Sequence, residues 1–239
     1  MATNLIDSHC HLFKEYYDDI DKELEKIKES GVSKVIVSAC SPRDIDEVIA
    51  LTKKYDFVYA TIGFHPDEAN TTKSDDLDHL LEVIADKKVV GIGEIGLDYH
   101  YSKDLKEAQE DLFRRQLSIA VDNNMPVVIH SRDATEDTLR ILKEYKVKGI
   151  MHCFSGSVET AKQYIDMGYK LGIGGVVTFK NSNLGKVVEN VSLEDIVLET
   201  DSPYLSPEPF RGKQNSPKNI PIIAKKISEI KNVYISKVE

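Results

Sequence analysis

The sequence predicts an α/β fold of the single (β/α)8 TIM-barrel type. Two observations carry that expectation. Eight short apolar runs alternate with amphipathic segments, and metal-ligand residue types recur where those runs end. Parallel strands buried on both faces read as continuous apolar runs. A helical pattern after each strand indicates βαβ units. An open doubly wound sheet is the alternative. There, ligands from strands far apart in the chain would hardly converge, whereas in a closed barrel every strand's C-terminal end faces one mouth.

The predicted strands cover residues 5–10, 35–39, 58–62, 89–92, 127–129, 149–151, 171–173 and 196–198. After the first, Ile20, Leu24 and Ile27 share one helical face, and Gly31 suits a left-handed helix end. Ser41-Pro42 reads as an N-cap and a first-turn proline, with Ile45, Val48 and Ile49 as the apolar stripe. Leu77, Leu80, Leu81 and Ile84 form the next stripe. Leu105, Ala108, Leu112 and Ala120 run along a longer helix, and Leu139 and Leu142 mark the fifth. Val158, Ala161 and Ile165 end at Gly168. The segment after Asn183 is short and weakly helical, and residues 220–230 form the last helix.

With 239 residues and no repeat, linker or low-complexity tract, one domain over residues 1–239 is expected. No apolar run approaches the roughly 18 residues of a membrane span. Met1-Ala2-Thr3-Asn4 opens no leader-like pattern. Cys10, Cys40 and Cys153 form neither an even framework nor a Cys-x-x-Cys pair, which favours a reducing, cytoplasmic setting. A monomer is expected. The net charge of −9 argues against broad duplex binding but is compatible with a nucleic acid held locally.

Six residues stand where predicted strands end: His9 and His11, Glu94, His130, His152 and Asp201. His9 and His11 are two apart, so on a strand they share a side while Cys10 points away. A lone histidine is usually a core or surface residue. The whole set points to a metal centre, and its number suggests two ions. Imidazole and carboxylate together suit divalent Zn, Mn, Mg or Ni.

The motifs Asp7-Ser8-His9-Cys10-His11, Gly63-Phe64-His65-Pro66, Gly93-Glu94-Ile95-Gly96-Leu97-Asp98-Tyr99, His130-Ser131-Arg132, His152-Cys153-Phe154-Ser155-Gly156, Glu199-Thr200-Asp201-Ser202-Pro203-Tyr204 and Arg211-Gly212-Lys213-Gln214-Asn215 occur in this order. In them the chain resembles the TatD family of metal-dependent hydrolases, from residue 6 to about 217. The resemblance implies one ion on His9, His11, Glu94 and Asp201, and a second on Glu94, His130 and His152, with Glu94 bridging and Asp201 as general base. It implies a deoxyribonuclease that hydrolyses phosphodiesters, acting on DNA that is single-stranded or at ends. The alternatives are a hydrolase of small ester, amide or phosphoester substrates, including aminoacyl-tRNA esters, and a barrel that binds without turnover. Against the last, a binding protein needs no general base. Phosphotriesterase-like barrels bridge their ions with a modified lysine on the fourth strand. Residues 89–92 carry none, and Glu94 takes that place. The resemblance also implies a further helix with an Asn-containing motif beyond Lys237-Val238-Glu239.

Lesser signals are weighed similarly. Gly91-Ile92-Gly93-Glu94-Ile95-Gly96 matches Gly-x-Gly-x-x-Gly, but residues 97–103, with two tyrosines, precede any helix, so a dinucleotide site is not expected. These glycines are expected to let the backbone pass close to the metals. His65 and Arg132 are candidate substrate contacts, Arg132 as a phosphate clamp with pairing to Asp133 as the alternative. His79 reads as solvated, and His100 is open. Arg211, Lys213 and Lys218 on a Pro-rich loop are candidate phosphate guides. Phe64, Tyr99, Phe154 and Tyr204 are candidates for base stacking, with packing beneath the loops the commoner role.

Overall fold

A computed structural model describes residues 4–100 and 103–239. Residues 1–3, where no leader is expected, and Tyr101, one of the two loop tyrosines, lie outside the described residues. The strands are β1 (Leu5–Cys10), β2 (Val32–Ala39), β3 (Val58–Ile62), β4 (Val89–Asp98), β5 (Val127–Arg132), β6 (Gly149–Met151), β7 (Lys170–Ile173) and β8 (Ile196–Leu198). They follow one another in a single sheet in chain order. The helices are α1 (Ile20–Glu29), α2 (Ile45–Lys54), α3 (Ser74–Val83), α4 (Lys106–Asp122), α5 (Thr135–Leu142), α6 (Val158–Asp166), α7 (Leu184–Asn190) and α8 (Ile220–Lys231). Among the described residues, no helix is long and apolar enough to cross a membrane.

The chain packs as two compact units, one holding the segment up to Val37 with His152–Glu239, the other Ser38–Met151. In the first, β1 pairs with β2 and β7 with β8, both in parallel. Leu5, Val35, Leu171 and Ile173 are fully buried on these strands, as are Ile220, Ile223, Ala224 and Ile227 on α8. The Asp19 side chain accepts the Lys22 N–H at 3.0 Å and caps α1. Asp21 and Glu23 open that helix and Lys26 and Lys28 close it, matching its dipole. Gly31 follows at φ 92°, the left-handed exit its sequence position predicts.

In the second unit β3, β4, β5 and β6 pair in parallel. Here β4 runs beyond its predicted end. Glu94 lies inside the strand rather than at its terminus, and the Gly-x-Gly-x-x-Gly stretch is strand throughout. Ile95 and Leu97 continue the pairing opposite Ile129 and Ser131. Two of the glycines let β4 approach β5 closely: at Gly93 a Cβ would lie 2.6 Å from the Val128 Cβ. At Gly96, where φ is +148°, a Cβ would lie 1.9 Å from the His130 carbonyl oxygen.

Two fully buried glutamines of α4 hold the chain beside the candidate ligands. Gln116 accepts the Phe64 N–H at 2.7 Å and donates to the Phe64 carbonyl at 3.0 Å. Gln109 accepts the Asp98 N–H at 2.9 Å and donates to its carbonyl at 2.8 Å. Each amide satisfies both backbone polar groups of one residue. Gln116→Leu should leave two buried polar groups without partners and cost about 2–4 kcal/mol. Chemical denaturation checks this, and a loss below about 1 kcal/mol would mean water replaces the amide.

In the first unit, buried Glu23 on α1 accepts from Lys218 Nζ at 2.8 Å, Ser216 Oγ at 2.6 Å and Lys26 Nζ at 3.2 Å. Lys218 is therefore a structural partner of α1, which corrects its expected role as a phosphate guide. Burial pulls the Glu23 carboxyl up, but Lys218, Ser216 and Lys26 together outweigh it and hold the group below the usual range. A depressed carboxylate stabilises the fold above its unfolded pKa and loses that contribution as pH falls through its folded pKa. Glu23→Gln should therefore cost about 1–2 kcal/mol at pH 7. The gap to the parent protein should narrow as pH falls below the unfolded carboxyl pKa and close as it passes the lower folded one, as read from denaturation midpoints across pH. A gap that persists in acid would point to packing instead.

Candidate metal centre

In the first unit the ligands gather along the seam between β1 and the chain after β8. Cys10 Sγ donates to the Ile36 carbonyl at 3.4 Å, toward β2, so His9 and His11 turn to the opposite side together. Their Nε2 atoms stand 3.1 Å apart. Asp201 Oδ1 lies 3.7 Å from the first and 3.5 Å from the second. The His152 ring stacks on His9 with centroids 4.0 Å apart. Ligand atoms of His9, His152 and Asp201 all lie within 4.8 Å of one another. Ligands at about 2.0–2.1 Å from one zinc-like ion stand roughly 3–4 Å apart, and the 3.1–3.7 Å spacings among His9, His11 and Asp201 fit a divalent cation.

Buried carboxylates stand behind these ligands. Asp7 is fully buried and accepts the His9 N–H at 3.2 Å, the Thr200 N–H at 2.9 Å and the Thr200 hydroxyl at 2.5 Å. Burial pushes its carboxyl up to about 8 against those hydrogen bonds. Glu199, also fully buried, accepts the Cys153 N–H at 2.5 Å and lies 3.7 Å from His152 Nδ1. Burial likewise raises Asp201, but His11, His152 and His9 outweigh it and hold the carboxyl below the ordinary range. Asp201 is therefore an anion at neutral pH.

In the second unit the β4–β5 register shifts between Ile92 and Ile95, and Glu94 sits in that irregularity. Such bulges re-aim a side chain within a strand. His130 of β5 places Nδ1 2.8 Å from Glu94 Oε1 and Nε2 3.1 Å from Asp98 Oδ2. A tautomer with Nε2–H on Asp98 would turn the Nδ1 lone pair toward a cation held on the Glu94 side, the usual support for a metal-binding imidazole. Burial raises Asp98, but His130 and the His100 N–H outweigh it and keep it below the ordinary range. Cys40 Sγ donates to Glu94 Oε2 at 3.5 Å. His65 Nδ1 accepts the Asp67 N–H at 3.2 Å, and its Nε2 lies 3.9 Å from Glu94 Oε1. His65, Asp98 and His130 form a further group of ligand type.

The other expected residues fall as follows. Arg132 ends β5 and is exposed, while the Asp133 carboxylate meets His100 Nδ1 at 2.8 Å. His79 is exposed on α3, 3.7 Å from Glu82. Arg211 and Lys213 are exposed, and the Arg211 guanidinium lies 4.3 Å over the Phe179 ring. Phe64, Tyr99 and Phe154 are buried and pack, which removes them as stacking surfaces, whereas Tyr204 is 50% exposed. Asp7, Asp98, Glu199, Cys40, Gln109 and Gln116 carry no expected role in the sequence. The signal for the three acids was available, because each shares a motif with a ligand.

The profile of the family described as TatD related DNase matches residues 6–239. A Bacillus subtilis (strain 168) protein named uncharacterized metal-dependent hydrolase YabD is 42% identical, over 98% of this chain and 94% of its own length. The crystal structure of YjjV, a TatD homolog from Escherichia coli K12, superposes with a TM-score of 0.93 at 30% identity, covering 100% of this chain and 94% of that one. A phosphotriesterase-like lactonase of Deinococcus radiodurans matches at a TM-score of 0.55 and 10% identity over 83% of this chain and 77% of that one, a likeness of fold alone. Eight parallel strands in chain order and full-length superposition on a TatD homolog make the fold a TIM barrel. The chain belongs to the TatD family of metal-dependent hydrolases.

Proposed function

We propose that this hydrolase is a deoxyribonuclease with two divalent cations, cleaving phosphodiester bonds of DNA that is single-stranded or at ends. The observation that carries it is the convergence of His9 and His11 Nε2, 3.1 Å apart, with the Asp201 carboxyl 3.5 Å from His11. In this reading His9, His11, Glu94 and Asp201 hold one ion, and Glu94, His130 and His152 the other. When bound, such ions acidify a water molecule and neutralise charge on a phosphoryl oxygen. Asp201 accepts the proton of the attacking water. Asp98 holds His130 through a 3.1 Å contact, so that imidazole need not reorient during turnover. His65 and Arg132 contact the substrate. Cys10, Cys40 and Cys153 form no disulfide among the described residues, as suits a cytoplasmic setting.

A metal-reconstituted screen of labelled single-stranded DNA, duplex DNA, RNA and small phosphodiester, phosphotriester and carboxyl esters tests the substrate class. Single-stranded DNA is expected to react fastest. Turnover confined to small esters would replace the nuclease with a small-substrate hydrolase.

Glu94→Ala should remove most of both ions, because one carboxylate serves each. Elemental analysis showing full occupancy in the variant would rule out the bridge. Asp201→Asn keeps an oxygen ligand but cannot take a proton at neutral pH. Turnover should fall by about 10²–10⁴-fold with little change in substrate affinity. Near-normal turnover in a metal-loaded variant would exclude Asp201 as the base.

A further inference from the structure

Among the described residues, three of the exposed large apolar side chains, Tyr204, Leu205 and Phe210, fall in one stretch between Asp201 and α8. The same stretch carries exposed Arg211 and Lys213. Its single acidic side chain is Glu208, in a chain whose net charge is −9. We propose that this surface holds one strand of nucleic acid, with Tyr204 stacked on a base and Arg211 and Lys213 on backbone phosphates. The proposal deepens the nuclease reading and rests on it.

The surface is preformed. Fully buried Asn215 donates Nδ2–H to the carbonyls of Thr200 at 2.9 Å and Tyr204 at 2.7 Å. Its own N–H donates to the Pro203 carbonyl at 2.9 Å. The Lys213 N–H donates to the Phe210 carbonyl at 3.0 Å, and Ser206 Oγ donates to the Lys213 carbonyl at 2.9 Å. Tyr204 is thus half-exposed yet fixed. Its hydroxyl donates to the Tyr16 hydroxyl at 3.1 Å, and its ring stands edge-on to Tyr16, with centroids 6.0 Å apart. The same ring lies 6.3 Å from His11. An aromatic face held still beside a metal ligand stacks on a base with little ordering cost, and any base offers a face. Arg211 is oriented by its contact with Phe179, and a planar cation suits a phosphate. Stacked bases alternating with paired phosphates is how single strands are held without sequence preference. A duplex keeps its bases inside and offers Tyr204 no face except at an end.

The test is binding of a fluorescent phosphorothioate oligodeoxythymidylate, which resists cleavage, to the metal-loaded protein. Tyr204→Ala should weaken binding about tenfold or more, and Tyr204→Phe, which keeps the ring, should bind within about twofold of the parent. Arg211→Ala with Lys213→Ala should reduce the slope of log affinity against log salt by about 1.4, the share of two single-strand phosphate contacts. Equal binding by Tyr204→Ala, an unchanged salt slope, or tighter binding to duplex of the same length would each overturn the proposal. So would self-association in sedimentation that Tyr204→Ala abolishes, since the occupant would then be a second copy of this chain. The assay needs no turnover. Tyr204-dependent binding without cleavage in the substrate screen would sink the nuclease reading alone, and cleavage without Tyr204-dependent binding would sink this surface alone.

Discussion

Asp201 donates its N–H to the His9 carbonyl at 3.0 Å, and His11 donates its N–H to the Ser202 carbonyl at 2.7 Å. Cys10 and Ser202 form the parallel bridge between these two bonds. This seam joins the first strand to the chain after the last one, and the ligands of the first unit take their spacing from it. His9 and His11 fall on one side because the strand alternates. Asp201 joins them because its own backbone is one of the bonded rungs. Asp7 reaches across the seam to both chain positions, binding the N–H groups of His9 and Thr200. A buried carboxyl is expensive unless it is hydrogen-bonded, and here its hydrogen bonds tie the two halves of the ligand set to each other.

The same economy recurs around each imidazole. His130 has Asp98 behind it and His152 has Glu199 near it. A histidine that must present one nitrogen to a cation needs its other nitrogen held. Asp98 does so for His130, and both Asp98 and Glu199 are buried and engage backbone N–H groups, those of His100 and Cys153. The direction of His130 is therefore set by the main chain through an acid, rather than by the packing of the imidazole alone.

Much of this was legible in the sequence. All eight strands announce themselves as apolar runs, and the ligands fall at or near their ends. What escaped has identifiable physical causes. Glycines usually signal a break, so β4 was expected to stop before Glu94; instead close approach to β5 requires a glycine at position 96. Gln109 and Gln116 sit on the buried face of α4, where polar residues are read as exposed. Lys218 looked like part of a basic loop because its partner, Glu23, is distant in the chain. Loop aromatics carry no sequence mark of burial, and only Tyr204 of the four kept an open face. The bridging role proposed for Glu94 rests on the family resemblance rather than on residue spacing.

The spacing of the α4 glutamines has a consequence for how the family can vary. They are seven residues apart, two helical turns or about 10.5 Å along the axis, and so share a face. One grips the peptide of Phe64 and the other that of Asp98, the residues beside His65 and behind His130. The helix works as a gauge between the ends of two strands. Inserting or deleting one residue between the glutamines would swing one amide about 100° out of line. This stretch should accept substitution far more readily than a change of length, unlike the surface loops, where length is cheap.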